Sequence, residues 1–475
     1  MSSLVRGSIL NAAGTFYKIL LTIIIEKYLA TQLSIESFGQ YKYGITIVLF
    51  FSTICSLGFS TSIVRSIAVQ ISLVKKKLLI SISLVLILVT SILVLGLSLN
   101  QGLYIEVKPF FLYATLFFSL NTLFNSIYSG LEKPNLKVWI NDIFGFTIYF
   151  IFLWAFFNFY NKSEDIAIVY LLYVIVVFII NLIYSRKFLT RFNKEYIKGK
   201  EFKEYLNYST PLFGVSLLIL FSTHLDKLIL NIFVTEKQLG IYYAVFAISN
   251  LLPLILTILV FMYLPKMSKF LQNNKLRKAT LLSSYFSKWT MIMASVILGM
   301  LFYYTEDILT LLYSKEFIEG AIVLKILAIG QWINVSLGFT GQNLLALGDS
   351  KSQLYIRLCS LVIGGILLVF GAKYYGNTGA AISVLIALLV SNMLQIIILK
   401  LKHGFVGYRK QNIYTLLVIL STGLLLFMVH RLIWLQNLNF LFLIIIDIII
   451  FVVLLLFTKI ISKRDVRVLK ITESL

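Results

Sequence analysis

The stretch Asn11-Ala-Ala-Gly-Thr15-Phe-Tyr-Lys18-Ile-Leu-Leu-Thr22-Ile-Ile-Ile-Glu26-Lys27-Tyr-Leu-Ala-Thr-Gln-Leu33 is an apolar run interrupted at helical spacing by polar residues. At about 100° and 1.5 Å per residue, Asn11, Thr15, Lys18, Thr22 and Glu26 fall within an arc of about 80°, along a stripe about 22 Å long. The run is long enough to cross a hydrocarbon core of about 30 Å. A charge at that depth costs at least about 2.5–3.5 kcal/mol, so the stripe must be turned away from lipid. Two readings remain. The stripe lines a water-filled cavity, or neighbouring helices satisfy it. Lys27 points the other way and snorkels to the membrane surface. The segment lacks a clean cleavage site and reads as a retained helix, not a signal peptide.

The rest of the chain has the same character. Of 475 residues, 59% are hydrophobic and 13% charged, and the mean hydropathy is +0.92. A soluble chain carries about 25% charged residues. The composition excludes a soluble enzyme, a disordered chain and a disulfide-rich domain, and describes an all-α polytopic membrane protein. Apolar runs give about fourteen transmembrane helices. The net charge of +22 is not a nucleic-acid footprint. About three quarters of the Lys and Arg residues lie in one alternate set of loops and the two termini, which places both termini in the cytoplasm. Cys55 and Cys359 sit in apolar segments, and the three His are scattered, so no disulfide, metal site or cofactor is expected.

An internal repeat organises the spans. Glu26-Lys27 followed by Glu36-Ser-Phe-Gly39-Gln-Tyr41 is echoed by Asp226-Lys227 followed by Glu236-Lys-Gln-Leu-Gly240-Ile-Tyr242. Asn125…Gly130-x-x-Lys133-x-x-Leu136 is echoed at constant offset by Asn343…Gly348-x-x-Lys351-x-x-Leu354. Two such echoes at equivalent places imply parallel six-helix lobes. The expected organisation is an N-terminal lobe over 1–185, a basic cytoplasmic linker over 186–207 and a C-terminal lobe over 208–400. Two further helices and a basic tail fill 401–475.

The seventh span repeats the polar stripe with Ser216, Thr223 and Lys227, flanked by His224 and Asp226. Adjacent helical residues diverge, so Asp226 and Lys227 are expected to face different partners. Arg65 at the inner end of the second span either snorkels or contacts a phosphate. Asn125 and Asn343 either bond between helices or meet a sugar. Asp142 and Asp447 are single acids without an evident partner. No G-x-x-x-x-G-K-[ST] phosphate loop and no Ser/His/Asp constellation is present.

Asp226-Lys-Leu-Ile-Leu-Asn-Ile-Phe-Val-Thr-Glu-Lys-Gln-Leu-Gly240-Ile-Tyr resembles a segment of polysaccharide exporters. So do Leu57-Gly58-Phe59…Arg65, Leu264-Pro265-Lys266 and Leu312-Tyr313-Ser314-Lys315-Glu316-Phe317…Ala328. In this order, over about residues 8–400, they resemble the Wzx-type oligosaccharide flippases of the multidrug/oligosaccharidyl-lipid/polysaccharide exporter superfamily. The resemblance implies two lobes around a central cavity, alternating access, and a polyprenyl-diphosphate-linked oligosaccharide carried to the outer leaflet of the cell membrane. On that reading Lys18 and Lys227 hold the diphosphate, and Thr22, Thr223, Ser216, Arg65, Asn125 and Asn343 line the path. Glu26 and Asp226 are the candidates for a coupling ion. Partners would be the lipid-linked glycan, membrane lipid, and a glycan polymerase with its assembly proteins. Alternatives are a cation-coupled multidrug exporter or a lipid II flippase of the same superfamily, or, in another class, a membrane-embedded glycan polymerase. The arginine cluster typical of lipid II flippases is missing from the first helices, where Lys18 stands.

The charge distribution sets a topology test. A reporter fused at the C-terminus or inserted near Lys198 should read out in the cytoplasm, and one near Glu316 outside. A cytoplasmic signal at Glu316 overturns the span assignment and the repeat together.

Overall fold

The computed structural model describes residues 3–69, 72–100, 108–160, 165–188, 200–430 and 440–460. Most of the basic linker and the basic tail lie outside the described residues, as do the side chains of Arg6 and Asn11. The described chain is helical throughout, with turns between helices and no strand. Eleven helices are long and apolar enough to cross a membrane, or twelve if one bent pair counts as a span. Fourteen were expected. The eleventh and twelfth expected spans are two helices joined at Gly376, where φ is 54° and ψ −134°, and they are counted once among the eleven. The first helix carries Lys18, Glu26 and Lys27 close together, which lowers its hydropathy.

The first compact unit is Met1–Gly240. It begins with α1 (Ser3–Gln32), α2 (Ile35–Ser56), α3 (Phe59–Val69) and α4 (Leu73–Asn100). α5 (Pro109–Gly130), α6 (Gly145–Phe159), α7 (Ala167–Ser185) and α8 (Lys200–Phe233) follow. Ser34 caps α2 by accepting the Ser37 amide, at 3.2 Å. α2 ends at Leu57 in the left-handed region, and the chain bends by 51° into α3. Gly58 makes this bend possible, with φ +77° and no side chain. A methyl group there would sit 2.5 Å from the Ser209 carbonyl oxygen and 2.7 Å from the Phe213 nitrogen of α8. The core beneath the bend joins Phe59, Ile63, Phe124, Ile127, Tyr128 and Tyr205. Ahead of α6, residues Val138–Phe144 form a π-helical turn. Compactness thus places the seventh span with the first six, whereas the sequence repeat pairs it with the first.

The second unit is Ile241–Leu475. After α9 (Glu236–Ser249), whose first residues close the first unit, it contains α10 (Leu251–Gln272), α11 (Leu276–Tyr303) and α12 (Thr305–Leu312). α13 (Ala321–Leu337), α14 (Phe339–Ala346), α15 (Ser350–His403), α16 (Lys410–His430) and α17 (Phe440–Phe457) complete it. One core gathers Tyr263, Met267, Phe339 and Phe405. A second packs Met291 and Ile292 of α11 against Val418 and Ile419 of α16 and Phe451 and Leu455 of α17. The base of the α15 hairpin is clasped by Asp349, whose carboxylate takes Lys402 Nζ and His403 Nε2, each at 2.8 Å. Large apolar side chains such as Leu93, Ile366 and Phe457 stand exposed on the spans. A bilayer is as apolar as these side chains, so this exposure carries no penalty there.

Gly58→Ala should lower the thermal unfolding temperature, by the equivalent of about 1–3 kcal/mol for a strained backbone position. Gly214→Ala, whose added methyl meets nothing within 4 Å, should leave it unchanged. Equal effects would remove the bend as the reason for Gly58.

Candidate functional site

Inside the first unit lies a cavity of about 490 Å³. Its lining includes Thr15, Lys18, Thr22 and Glu26, so the polar stripe read from sequence faces one space. α2 adds Lys42; α5 adds Asn121, Thr122 and Asn125; the π turn and its approach add Lys137, Asn141 and Asp142. Tyr149, Tyr170 and Tyr173 supply aromatic walls from α6 and α7.

Two ion pairs set its electrostatics. Lys18 Nζ is 3.4 Å from Asp142 Oδ1 and 4.8 Å from the centre of the Phe146 ring. Lys42 pairs with Glu26 across the α1–α2 turn. The π turn inserts an extra residue into the helix, as such bulges often do at functional sites. It carries Asn141 and Asp142 together onto the cavity wall, and Asp142 is buried.

An amide network fixes the floor. Asn181 Nδ2 donates to Asn121 Oδ1 at 3.0 Å and to Asn141 Oδ1 at 3.1 Å, while Asn121 Nδ2 donates to the Val174 carbonyl at 3.0 Å. The Tyr41 and Tyr149 hydroxyls bond to each other. Three buried atoms at the cavity have no hydrogen-bond partner: Glu26 Oε2, Asn125 Oδ1 and Asn141 Nδ2. Buried polar groups are almost always satisfied. These two acceptors and one donor are buried without a hydrogen-bond partner in this state.

The other site residues read from sequence lie elsewhere. Arg65 is exposed, with its guanidinium 4.8 Å from the Tyr208 ring centre. On α8, Ser216 Oγ donates to the Leu212 carbonyl at 2.9 Å and Thr223 Oγ1 to the Ile219 carbonyl at 2.9 Å. Lys227 is buried, and its Nζ lies 3.0 Å from Asp226 Oδ1. This corrects the expectation that neighbouring residues on a helix could not pair. The lysine stem is long enough to fold back, and Lys227 also donates to the Thr223 carbonyl at 3.1 Å. Asn343 belongs to the second unit, buried between Tyr263, which donates to its Oδ1, and Ser283, 3.1 Å from its Nδ2.

Lys42, Lys137, Asn141, Asn181 and Tyr149 were missed. Lys42 follows Glu26 across the α1–α2 turn, and the acid's need for a partner was the signal for it. Asp142 was legible as an acid without a partner, and Lys18 is that partner.

Residues 4–271 match the family described as polysaccharide biosynthesis protein. The chain belongs to that family. Its fold is that of the multidrug/oligosaccharidyl-lipid/polysaccharide superfamily of transporters. The lipid II flippase MurJ, in an inward closed conformation, aligns with a TM-score of 0.75 at 17% identity, covering 96% of this chain and 99% of that one. An inward-facing multidrug resistance transporter aligns with a TM-score of 0.64 at 14% identity, over 82% and 94% of the two chains. A transporter of the superfamily from Pyrococcus furiosus aligns with a TM-score of 0.57 at 14% identity, over 84% and 95%. No curated protein sequence matches the chain significantly. These three solved proteins are described as a flippase and as transporters.

Glu26 and Lys42 are both largely buried, so removing either partner strands a charge. Glu26→Gln and Lys42→Met should each lower thermal stability, and the double variant should lose less than the sum. The double-mutant cycle should give a coupling of about 0.5–3 kcal/mol. Additive losses would mean the pair contributes nothing.

Proposed function

We propose that this protein is a flippase that carries a polyprenyl-diphosphate-linked oligosaccharide from the inner to the outer leaflet of the cell membrane. The chain would do so by alternating access, for cell-surface polysaccharide synthesis, with both termini in the cytoplasm. The observation that carries this reading is the chemistry of the cavity in a chain of the polysaccharide biosynthesis family. Its lining holds Lys18, Lys42 and Lys137 against Glu26 and Asp142, one cation more than acids. That balance favours an anionic headgroup over a cationic drug. The unpartnered amide and carboxylate atoms suit sugar hydroxyls, which both donate and accept.

Lys18 is the cation most able to change partners. Its side chain is 43% exposed and its contact to Asp142 is long. A phosphate oxygen could take Asp142's place during transport. Lys227 would serve as a second cation on the repeat-related helix once released from Asp226. Thr22, Thr223, Ser216, Asn125, Asn343 and Arg65 would meet the sugar or phosphate in other states of the cycle. The lipid-linked glycan and membrane lipid are the partners, with a polymerase and assembly proteins acting after release.

A second reading is a lipid II flippase. Likeness to MurJ extends over 96% of this chain, including the C-terminal helix pair, against 82% for the multidrug transporter.

Lys18→Ala and Lys227→Ala should each reduce surface glycan at least tenfold at normal membrane abundance, and Lys18→Arg should restore part of it. Full export by both alanine variants would overturn the diphosphate assignment. Complementation of a strain lacking its lipid II flippase separates the two readings.

A further inference from the structure

Four carboxylates sit well within the spans among the described residues: Glu26, Asp142, Asp226 and Asp447. Three are held by a lysine: Lys42, Lys18 and Lys227 respectively. Asp447, on α17, differs. Its Oδ2 accepts the Tyr304 hydroxyl at 2.6 Å and lies 2.8 Å from His430 Nε2. Imidazole is the side chain whose charge changes between about pH 5 and 8.

The setting is built around this pair. The Tyr303 ring stacks on His430 at 5.0 Å and 14°, and Tyr304 meets the same ring edge-on at 5.3 Å. The Tyr303 hydroxyl is tied to the Gly423 carbonyl. Beside Asp447 a void of about 30 Å³ opens between α11, α16 and α17, enough for one water. Asp447 is about 10 Å from the start of its helix at 1.5 Å per residue, at the end that the Lys and Arg distribution assigns to the outside. The groups facing it are Tyr303 and Tyr304 from α11 and His430 from α16. Asp307 of α12 is exposed, and Lys325 of α13 is occupied over the Phe302 ring at 5.2 Å. Arg431 lies outside the described residues.

We propose that Asp447, His430 and Tyr304 form a proton-binding site in the outer half of the membrane that couples transport to the proton gradient. With a neutral imidazole the cluster carries one negative charge. A proton taken up by the imidazole makes an ion pair with Asp447 and brings the net charge to zero, the cheaper state in hydrocarbon. Tyr304 keeps its proton in both states and holds the carboxylate in place. Uptake of the proton adds an ion pair between α16 and α17, and its release removes that pair. The coupling role rests on the transport reading; the protonation does not.

Two measurements separate the two. In vesicles bearing the full chain and a fluorescent polyprenyl-diphosphate-linked sugar, an inward-directed pH gradient should raise wild-type flipping severalfold. Asp447→Asn and His430→Gln should flip at the rate without gradient whether or not one is imposed. Glu316→Gln, which removes an exposed acid away from the cluster, should keep its gradient response. A response retained in Asp447→Asn, or no response in wild type, overturns the coupling. Independently, nitrogen-15 histidine spectra of the purified chain contain only three imidazoles. The signal lost in His430→Gln should change with pH in wild type and change differently in Asp447→Asn. A pH-insensitive His430 signal overturns the proton site, even if flipping is observed. A pH-sensitive signal in a chain that flips nothing leaves the site standing and overturns the flippase reading.

Discussion

An ionised side chain at bilayer depth has to find a counter-charge or reach water, and the first unit is arranged around that requirement. Lys18 and Glu26 lie on one face of α1 and line the same cavity. Each is answered from another helix, Lys18 by Asp142 and Glu26 by Lys42. The answers come from different directions, so the four charges span a space instead of closing it. The cavity of about 490 Å³ is within the range of small-molecule sites. Its polar walls follow from the pairs: where charges are neutralised locally, amides and hydroxyls are tolerated beside them, and the Asn121–Asn181–Asn141 network grows between α5, the π turn and α7.

The sequence repeat makes the asymmetry of this arrangement visible. Asn125 and Asn343 occupy matching positions five residues before matching glycines. Asn125 faces the cavity with Oδ1 unpartnered. Asn343 is engaged at both ends by Tyr263 and Ser283, and the Tyr263 ring packs 4.3 Å from Phe339. Aromatic side chains fill at Asn343 what is open at Asn125. Likewise Glu26 reaches across a turn to Lys42, while Asp226 is neutralised by its own neighbour. A repeat conserves backbone placement; the chemistry at each copy is decided by what packs against it.

This also explains how far the sequence could be read. Helical periodicity in Asn11–Leu33 placed Thr15, Lys18, Thr22 and Glu26 on one face, because the period of an α-helix is a property of the local chain. The all-helical class followed from composition for the same reason. Which residues answer that face was not legible. Lys18 meets Asp142 across a separation of 124 residues, and the π turn shifts the register on which any periodic reading of Asn141 and Asp142 depends. Reading Asp226 and Lys227 as diverging applied the correct angle to their Cα–Cβ bonds and ignored the reach of the lysine stem. The turn between the eleventh and twelfth spans was legible for the same local reason: the chain reverses at Gly376, whose φ of 54° suits a residue without a side chain.

The C-terminal helix pair stands outside the repeat and is tied to α11 by polar contacts. Apolar contact alone gives little net association between helices in lipid, since lipid tails offer the same contact. What holds α16 and α17 to α11 is therefore sought in polar ties, and these occur along the whole length. Asn412 bonds Ser284, with its Nδ2 2.9 Å from the Ser284 carbonyl, and Lys288 Nζ reaches the Ile460 carbonyl at 3.1 Å. Tyr303 takes the Gly423 carbonyl farther along, and Tyr304 takes Asp447 at the far end. Each tie is costly to break in hydrocarbon, because the freed group finds no water. The inner ties use an amide, hydroxyls and a lysine that meets a backbone carbonyl. The outermost tie alone is built from an imidazole and a carboxylate, and that is where the grip of the pair on α11 can be adjusted without unfolding it.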